Sequence, residues 1–271
     1  MKNRLEALAR KRGNRKWFCA FLTLGYPSVP VTRKLVREFE EAGVDILELG
    51  FPFSDPMADG PTIQFSSEQA LHKGVKLDDA FETVRQLRDK GLKIPVLFFT
   101  YFNPVFHYGM DRFLKKIAAS GFDGVIIPDL PPDLEPGFHA AVRREGLCEV
   151  FLITPTSSAK RTRWIAGRSR GFIYYVSLKG VTGARKSIPG DIRRHVETIR
   201  RADSKPVLIG FGVSSPSQAR ELSRFSDGVI VGSAIIDALR RSGGRPSAAV
   251  KLVRAMIHAL KDSSRARNAR A

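Results

Sequence analysis

The chain has 271 residues, 43% of them hydrophobic, and carries 45 Lys and Arg against 27 Asp and Glu for a net charge of +18. That length and apolar share can bury a substantial core in one or two domains, and no apolar run approaches the roughly 18 residues of a membrane span. The start, Met1-Lys2-Asn3-Arg4-Leu5, mixes basic and apolar residues as far as Lys16 and lacks the apolar centre of a secretory signal, so a cytoplasmic enzyme is expected.

In chain order, an amphipathic piece at 5–11 precedes the first strand and is expected to cap the bottom of a barrel. Short β-rich apolar runs then alternate with amphipathic helical stretches. The runs are 18–24, 46–50, 96–101, 124–128, 150–154, 172–177, 207–212 and 228–232. Most are nearly continuous in apolar residues, as in parallel strands covered on both faces. Helices are expected over 31–42, where Val31, Leu35, Val36 and Phe39 form one stripe, and over 111–119, 134–144, 159–166, 189–202, 216–224 and 246–260. The interval after the second strand holds two helical stretches, 62–73 and 78–90, one of them an insertion. Eight strands each followed by helix give a (β/α)₈ TIM barrel. An open doubly wound sheet is the rival, weakened because no G-x-G-x-x-G follows the first strand. The expected organisation is a single barrel domain over 1–262 with a basic, disordered tail over 263–271.

The basic residues are spread over helices and densest at the two ends, with no nucleic-acid motif and no interleaved aromatic platform, so specific nucleic-acid binding is not expected. Cys19 and Cys148 are isolated thiols, expected to be reduced packing residues. His72, His107, His139, His195 and His258 sit apart without metal-like spacing, so surface or helix-end roles are expected and no metal site.

The segment 47–62 is the most informative. Glu48 lies inside an apolar strand, and the loop that follows carries Asp55 and Asp59 among Pro, Ser and Gly. A carboxylate in a strand is costly to bury unless satisfied or used. Glu48 and Asp59 suit a pair of proton-transfer groups facing one pocket. The plainer readings are a buried acid satisfied by backbone donors for Glu48, and a turn residue before Gly60 for Asp59. In a barrel, chemistry belongs at the C-terminal strand ends, where Tyr101 and Asp129 also fall, with Tyr174 in the sixth strand. The later loops are rich in small residues, at 180–183, 210–214 and 232–234. Glycine lets backbone N–H groups approach an oxyanion, and a helix starting at Ser233 would add its dipole.

These motifs resemble the α subunit of tryptophan synthase over about residues 5–260. They are Leu47-Glu48-Leu49-Gly50-Phe51-Pro52-Phe53-Ser54-Asp55-Pro56-Met57-Ala58-Asp59-Gly60-Pro61, then Thr100-Tyr101-Phe102-Asn103-Pro104, Ile127-Pro128-Asp129-Leu130-Pro131, Ser177-Leu178-Lys179-Gly180-Val181-Thr182-Gly183-Ala184, Gly210-Phe211-Gly212 and Val231-Gly232-Ser233-Ala234-Ile235. The resemblance implies a (β/α)₈ barrel that cleaves indole-3-glycerol phosphate to indole and glyceraldehyde 3-phosphate, with no cofactor or metal of its own. It also implies a pyridoxal-phosphate β subunit as partner in an α2β2 complex, with indole passed to it through a tunnel. By position, Glu48 and Asp59 match the catalytic acids and Tyr174 a tyrosine beside the glycerol. Phe21, Phe99, Tyr101 and Ile126 match the indole pocket. Gly183, Gly212, Gly232 and Ser233 match phosphate-binding positions, and Pro52 and Asp55 match positions that communicate with the partner.

Other assignments keep two readings. Asp55 is either an Asx turn before Pro56 or an interface residue, and Asp129 either ends a strand or links loops. Strand alternation sends one of Tyr174 and Tyr175 inward, and the motif spacing favours Tyr174. The stretch 180–185 is an ordinary loop or a lid with Thr182 reaching toward Asp59. Phe51, Phe65 and Lys179 depart from the family pattern. Two functional alternatives stand beside the active lyase: an α-like subunit that mainly activates its partner, against which the intact acid pair speaks, and a basic barrel recruited to nucleic acid.

Overall fold

The computed structural model describes residues 3–11, 13–176, 190–210 and 212–268. Nine parallel strands form one sheet: β1 (Trp17–Thr23), β2 (Ile46–Gly50), β3 (Val96–Phe99), β4 (Gly124–Ile126), β5 (Cys148–Glu149), β6 (Leu152–Ile153), β7 (Ile173–Val176), β8 (Val207–Gly210) and β9 (Gly228–Val231). Their order is β5-β4-β3-β2-β1-β9-β8-β7-β6. The two ends of that series, β5 and β6, are consecutive pieces of one extended segment. Its first half pairs with β4 and its second with β7, which closes the ring as a TIM barrel. The single strand expected at 150–154 is thus two short ones. Between them the Phe151 N–H leaves the ladder and donates to Ser169 Oγ (3.1 Å).

Helices cover the ring in chain order: α1 (Arg4–Arg10), α2 (Val29–Ala42), α3 (Pro61–His72), α4 (Leu77–Asp89), α5 (Phe102–Tyr108), α6 (Met110–Ser120), α7 (Pro136–Arg144), α8 (Ala159–Arg168), α9 (Gly190–Ala202), α10 (Pro216–Ser223), α11 (Ser233–Arg241) and α12 (Pro246–Asn268). In α2 the apolar stripe Leu35, Val36 and Phe39 is buried, Ser28 caps the start, and Gly43 ends the helix in the left-handed region at φ 95°. α3 and α4 both fall between β2 and β3, the expected insertion. α5 has no counterpart in the sequence reading, because Asn103-Pro104 looks like a turn. Pro104 sits in its first turn, where a missing N–H costs nothing. The tail expected to be disordered from 263 instead continues α12 as far as Asn268.

α1 closes the bottom. Asn3 caps it by accepting the Leu5 N–H at 3.0 Å, Leu5 is fully buried, and a Cβ on Gly171 would collide with the Leu5 side chain. The strand starts share one device that sequence reading passed over. Asp45, Asp123 and Asp227 each immediately precede a strand and accept an N–H at the start of its neighbour: Phe18, the second residue of β1, at 2.9 Å, Val96 at 3.0 Å and Val207 at 2.9 Å. Each carboxylate also holds an arginine, Arg15, Arg88 and Arg200 respectively. Asp123 is the hub, since its other oxygen accepts the Arg4 N–H at 3.1 Å. Burial lowers Arg88 to about 10 against the pull of Asp123.

Removing one member of a buried ion pair strands the other charge, at roughly 3–5 kcal/mol. Asp123→Ala is therefore expected to lower Tm by about 10 °C, at roughly 2–4 °C per kcal/mol for a chain of this size. Thermal unfolding followed by circular dichroism checks this, and an unchanged Tm would remove Asp123 from its place as hub.

Candidate active site

The β1–β2 register sets Phe21 opposite Glu48, and the β2–β3 register sets Glu48 opposite Leu97. Glu48 thus points into the barrel from a strand flanked by apolar neighbours, and it is 0% exposed. Its Oε1 lies 3.5 Å from Cys19 Sγ, and its Oε2 has no hydrogen-bond partner among the described residues. Burial pushes the carboxyl up to about 8, against a downward pull from the Cys19 thiol. The group is therefore mainly protonated at neutral pH.

Asp59 is half-buried on the loop between β2 and α3. Burial raises it to about 6, and the Tyr101 hydroxyl beside it pulls it down. Tyr101 fastens this loop, since its hydroxyl accepts the Ala58 N–H at 3.0 Å and Phe53 stacks on its ring with centroids 5.4 Å apart. The Asp59 N–H bonds to Pro56 O at 3.0 Å, and Gln64 Nε2 donates to Asp59 O at 2.9 Å.

Tyr174 completes the group. Its hydroxyl is raised first by burial and then by the charges of Glu48, Cys19 and Asp59. Tyr175 instead stacks on His195 of α9 and faces outward. Gly210 is bare because a Cβ there would overlap the Tyr174 ring, and Gly50 because one would overlap the Phe21 ring. Neither glycine role was read from the sequence, although a glycine ending a buried strand is the signal for close approach. Phe21 meets Phe99 edge-on at 5.4 Å, and Phe99 is in register with the fully buried Ile126.

At the opposite side Gly212 adopts φ 83°, and Gly232 begins α11 with no side-chain cap, leaving the first-turn N–H groups of α11 beside Ser233 without one. Thr182, Gly183 and the stretch 180–185 lie outside the described residues. Among the described residues, no three His, Cys, Asp or Glu side chains gather as metal ligands.

Pro52 is buried, and Asp55 is exposed with its Oδ2 accepting from Ser54 Oγ at 2.5 Å. Asp129, after β4, accepts the Phe102 N–H through both oxygens at 3.0 and 3.1 Å, so it links two loops by holding the start of α5. Of the departures, Phe51 packs on Phe98, and Phe65 packs between Tyr26 and the Arg240 guanidinium, so both serve packing. His139 corrects the expectation of surface histidines. It is buried on α7, with Nδ1 2.8 Å from Glu149 Oε1. Cys19 and Cys148 are both free and buried in the core, as expected, and the Cys19 thiol also meets the Glu48 carboxyl.

The sequence model of the family described as "Tryptophan synthase alpha chain" matches residues 8–265. The chain belongs to the tryptophan synthase alpha chain family. A relative from Geotalea daltonii is 44% identical over 90% of this chain and 91% of its own, and one from Dehalococcoides mccartyi is 46% identical over 83% and 88%. The solved tryptophan synthase alpha chain of Legionella pneumophila superposes with a TM-score of 0.88 at 32% identity, covering 97% of this chain and 98% of that one. A tryptophan synthase structure from M. tuberculosis gives 0.86 at 33% identity, covering 95% and 98%. The reaction of this alpha chain is the lyase cleavage of indole-3-glycerol phosphate, and pyridoxal phosphate belongs to the β subunit with which the family forms its complex.

Burying Glu48 has a thermodynamic signature. Between its ordinary 4.5 and the folded value of about 8, the folded chain keeps a proton that the unfolded chain has released. Stability from this group is therefore present at low pH and lost as pH rises. Glu48→Gln removes that titration. Its stability relative to the parent is expected to grow by on the order of a few kcal/mol between pH 5 and 9, measured by denaturant unfolding at each pH. A constant difference would contradict a buried, proton-holding Glu48.

Proposed function

We propose that Glu48 and Asp59 carry the proton chemistry of a retro-aldol cleavage of indole-3-glycerol phosphate to indole and glyceraldehyde 3-phosphate. The observation that supports this best is a fully buried Glu48 raised to about 8, with a lower-titrating Asp59 on the loop that leaves the same strand. Breaking the bond between indole C3 and the glycerol carbon requires C3 to gain a proton, so that the ring becomes an electron sink. It also requires the glycerol hydroxyl to lose one, so that the carbon collapses to an aldehyde. Glu48 gives the first proton and takes the second. Asp59, as the carboxylate, receives the indole N–H and stabilises the positive charge that develops there. Tyr174 lies beside the reacting glycerol, and the apolar wall of Phe21, Phe99, Tyr101 and Ile126 holds the indole ring.

Backbone donors at Gly212, Gly232 and Ser233 bind the phosphate, where the start of α11 favours an anion. Gly183 joins this assignment on its motif alone, and Thr182, on the same ground, is the residue that reaches toward Asp59. Asp55, Pro52 and Asp129 serve the β subunit, and the neighbouring rim supports that placement. It exposes Met57 at 91%, Phe106 at 61% and Leu134 at 52%, in the segments that follow three adjacent strands, Phe106 on α5 and the other two on loops. The catalytic domain spans 1–262 and works in the cytoplasm; among the described residues no helix is long and apolar enough to cross a membrane.

Indole release from indole-3-glycerol phosphate, by the purified chain alone and with a β subunit added, tests this reading. The expected outcome is slow release alone and much faster release with the partner; no release from the folded complex would leave only partner activation. The kcat/KM profile is expected to be bell-shaped. Activity should fall below about 6 as Asp59 gains a proton and above about 8 as Glu48 loses one. Glu48→Gln should abolish cleavage, by roughly 10³-fold or more, with substrate still bound, and Asp59→Asn should lower kcat similarly. Near-normal turnover of the Gln variant would overturn the assignment of Glu48.

A further inference from the structure

Cys19 stands on β1 two residues before Phe21, so the two side chains share the inward face, with Cys19 one layer nearer the barrel bottom. Because Phe21 pairs with Glu48, Cys19 lies diagonally beneath the Glu48 carboxyl, on the side away from the pocket mouth. Both residues are fully buried, and Sγ is 3.5 Å from Oε1. Among the described residues no other donor reaches either Glu48 oxygen, and Oε2 is bare. A carboxyl held at one oxygen alone is free to rotate unless that one bond fixes it.

We propose that Cys19 is a positioning residue: its S–H···Oε1 hydrogen bond holds the Glu48 carboxyl from below, so that Oε2 faces the substrate and exchanges the protons. This inference rests on the reading of Glu48 as the proton-transfer group. When Oε2 gives up its proton the carboxylate forms in a dry interior, and the thiol is the protein donor that meets it. The thiol stays protonated throughout, since burial, followed by the charge of Glu48, raises it far above its ordinary value. The other titratable groups within electrostatic reach are Tyr174 on β7, which feels Glu48 and Cys19, Asp59 on the loop after β2, which acts on Tyr174, and Asp45 before β2, which acts on Cys19. All three oppose the carboxylate when charged, so Cys19 is the one group of the set that favours it.

The test compares Cys19→Val and Cys19→Ala, which remove the donor, with Cys19→Ser, which keeps one. Each is assayed with the β subunit for indole release across pH, and the carboxyl stretch of Glu48 is followed by infrared difference titration without substrate. Loss of the thiol should move the basic limb and the infrared midpoint up by about half a unit to one unit, and lower kcat about 3–10-fold at pH 7 with KM within about twofold. Cys19→Ser should keep both midpoints at or below the parent values. Folded Val and Ala variants with unmoved midpoints would overturn the positioning role. Glu48→Gln, run alongside, separates the two failures. An active Gln variant sinks the reading of Glu48 itself, whereas an inactive one with unmoved Cys19 variants sinks only this inference.

Discussion

The cost of keeping a carboxyl dry governs this protein. Glu48 is sealed inside a closed parallel sheet, opposite Phe21 on one side and Leu97 on the other, with one weak hydrogen bond. An uncompensated charge there would cost far more than folding can spare, so the group takes a proton instead. A strained, costly feature thereby becomes a usable acid. Asp59 is spared most of that cost because it sits on a half-buried loop beside a tyrosine hydroxyl, and it titrates lower. Two carboxyls of similar intrinsic acidity are separated by environment alone, which is how one site holds both an acid and a base near neutral pH.

The barrel can carry that cost because its two ends are built differently. At the bottom, Asp45, Asp123 and Asp227 join neighbouring strands and tie down arginines, and α1 plugs the floor. These acids are paired and structural. At the top, Glu48 and Asp59 are left nearly without charge partners, and the loop that holds Asp59 is fixed by Tyr101 and Gln64. The same residue types meet arginines at one end and, among the described residues, no cation at the other. Bare backbone at Gly50 and Gly210 lets Phe21 and Tyr174 crowd against the sheet at the reacting end.

The large positive charge belongs to neither end. The arginines engage acids on helix surfaces, as in Arg85 with Glu82 and Arg193 with Glu197, or lie over rings, as Arg161 and Arg168 do over Trp164. Such exposed pairs contribute little individually, and they describe a solvated basic surface.

The amino-acid sequence by itself determined the alternation of strand and helix, the insertion after β2, and the two acids in one segment. These are carried by local periodicity and by a contiguous motif, which neighbouring residues express without reference to the rest of the chain. Its silences are equally physical. That one strand would split at Phe151 to close the ring, that Asn103-Pro104 would open a helix held by Asp129, and that three aspartates would bridge strand starts all depend on partners distant along the chain. So does the meeting of Cys19 with Glu48, and of His139 with Glu149. A cysteine and a histidine in an apolar run look alike whether they fill space or bond a carboxyl. Only the register of strands and the packing of helices brought those groups within hydrogen-bond reach.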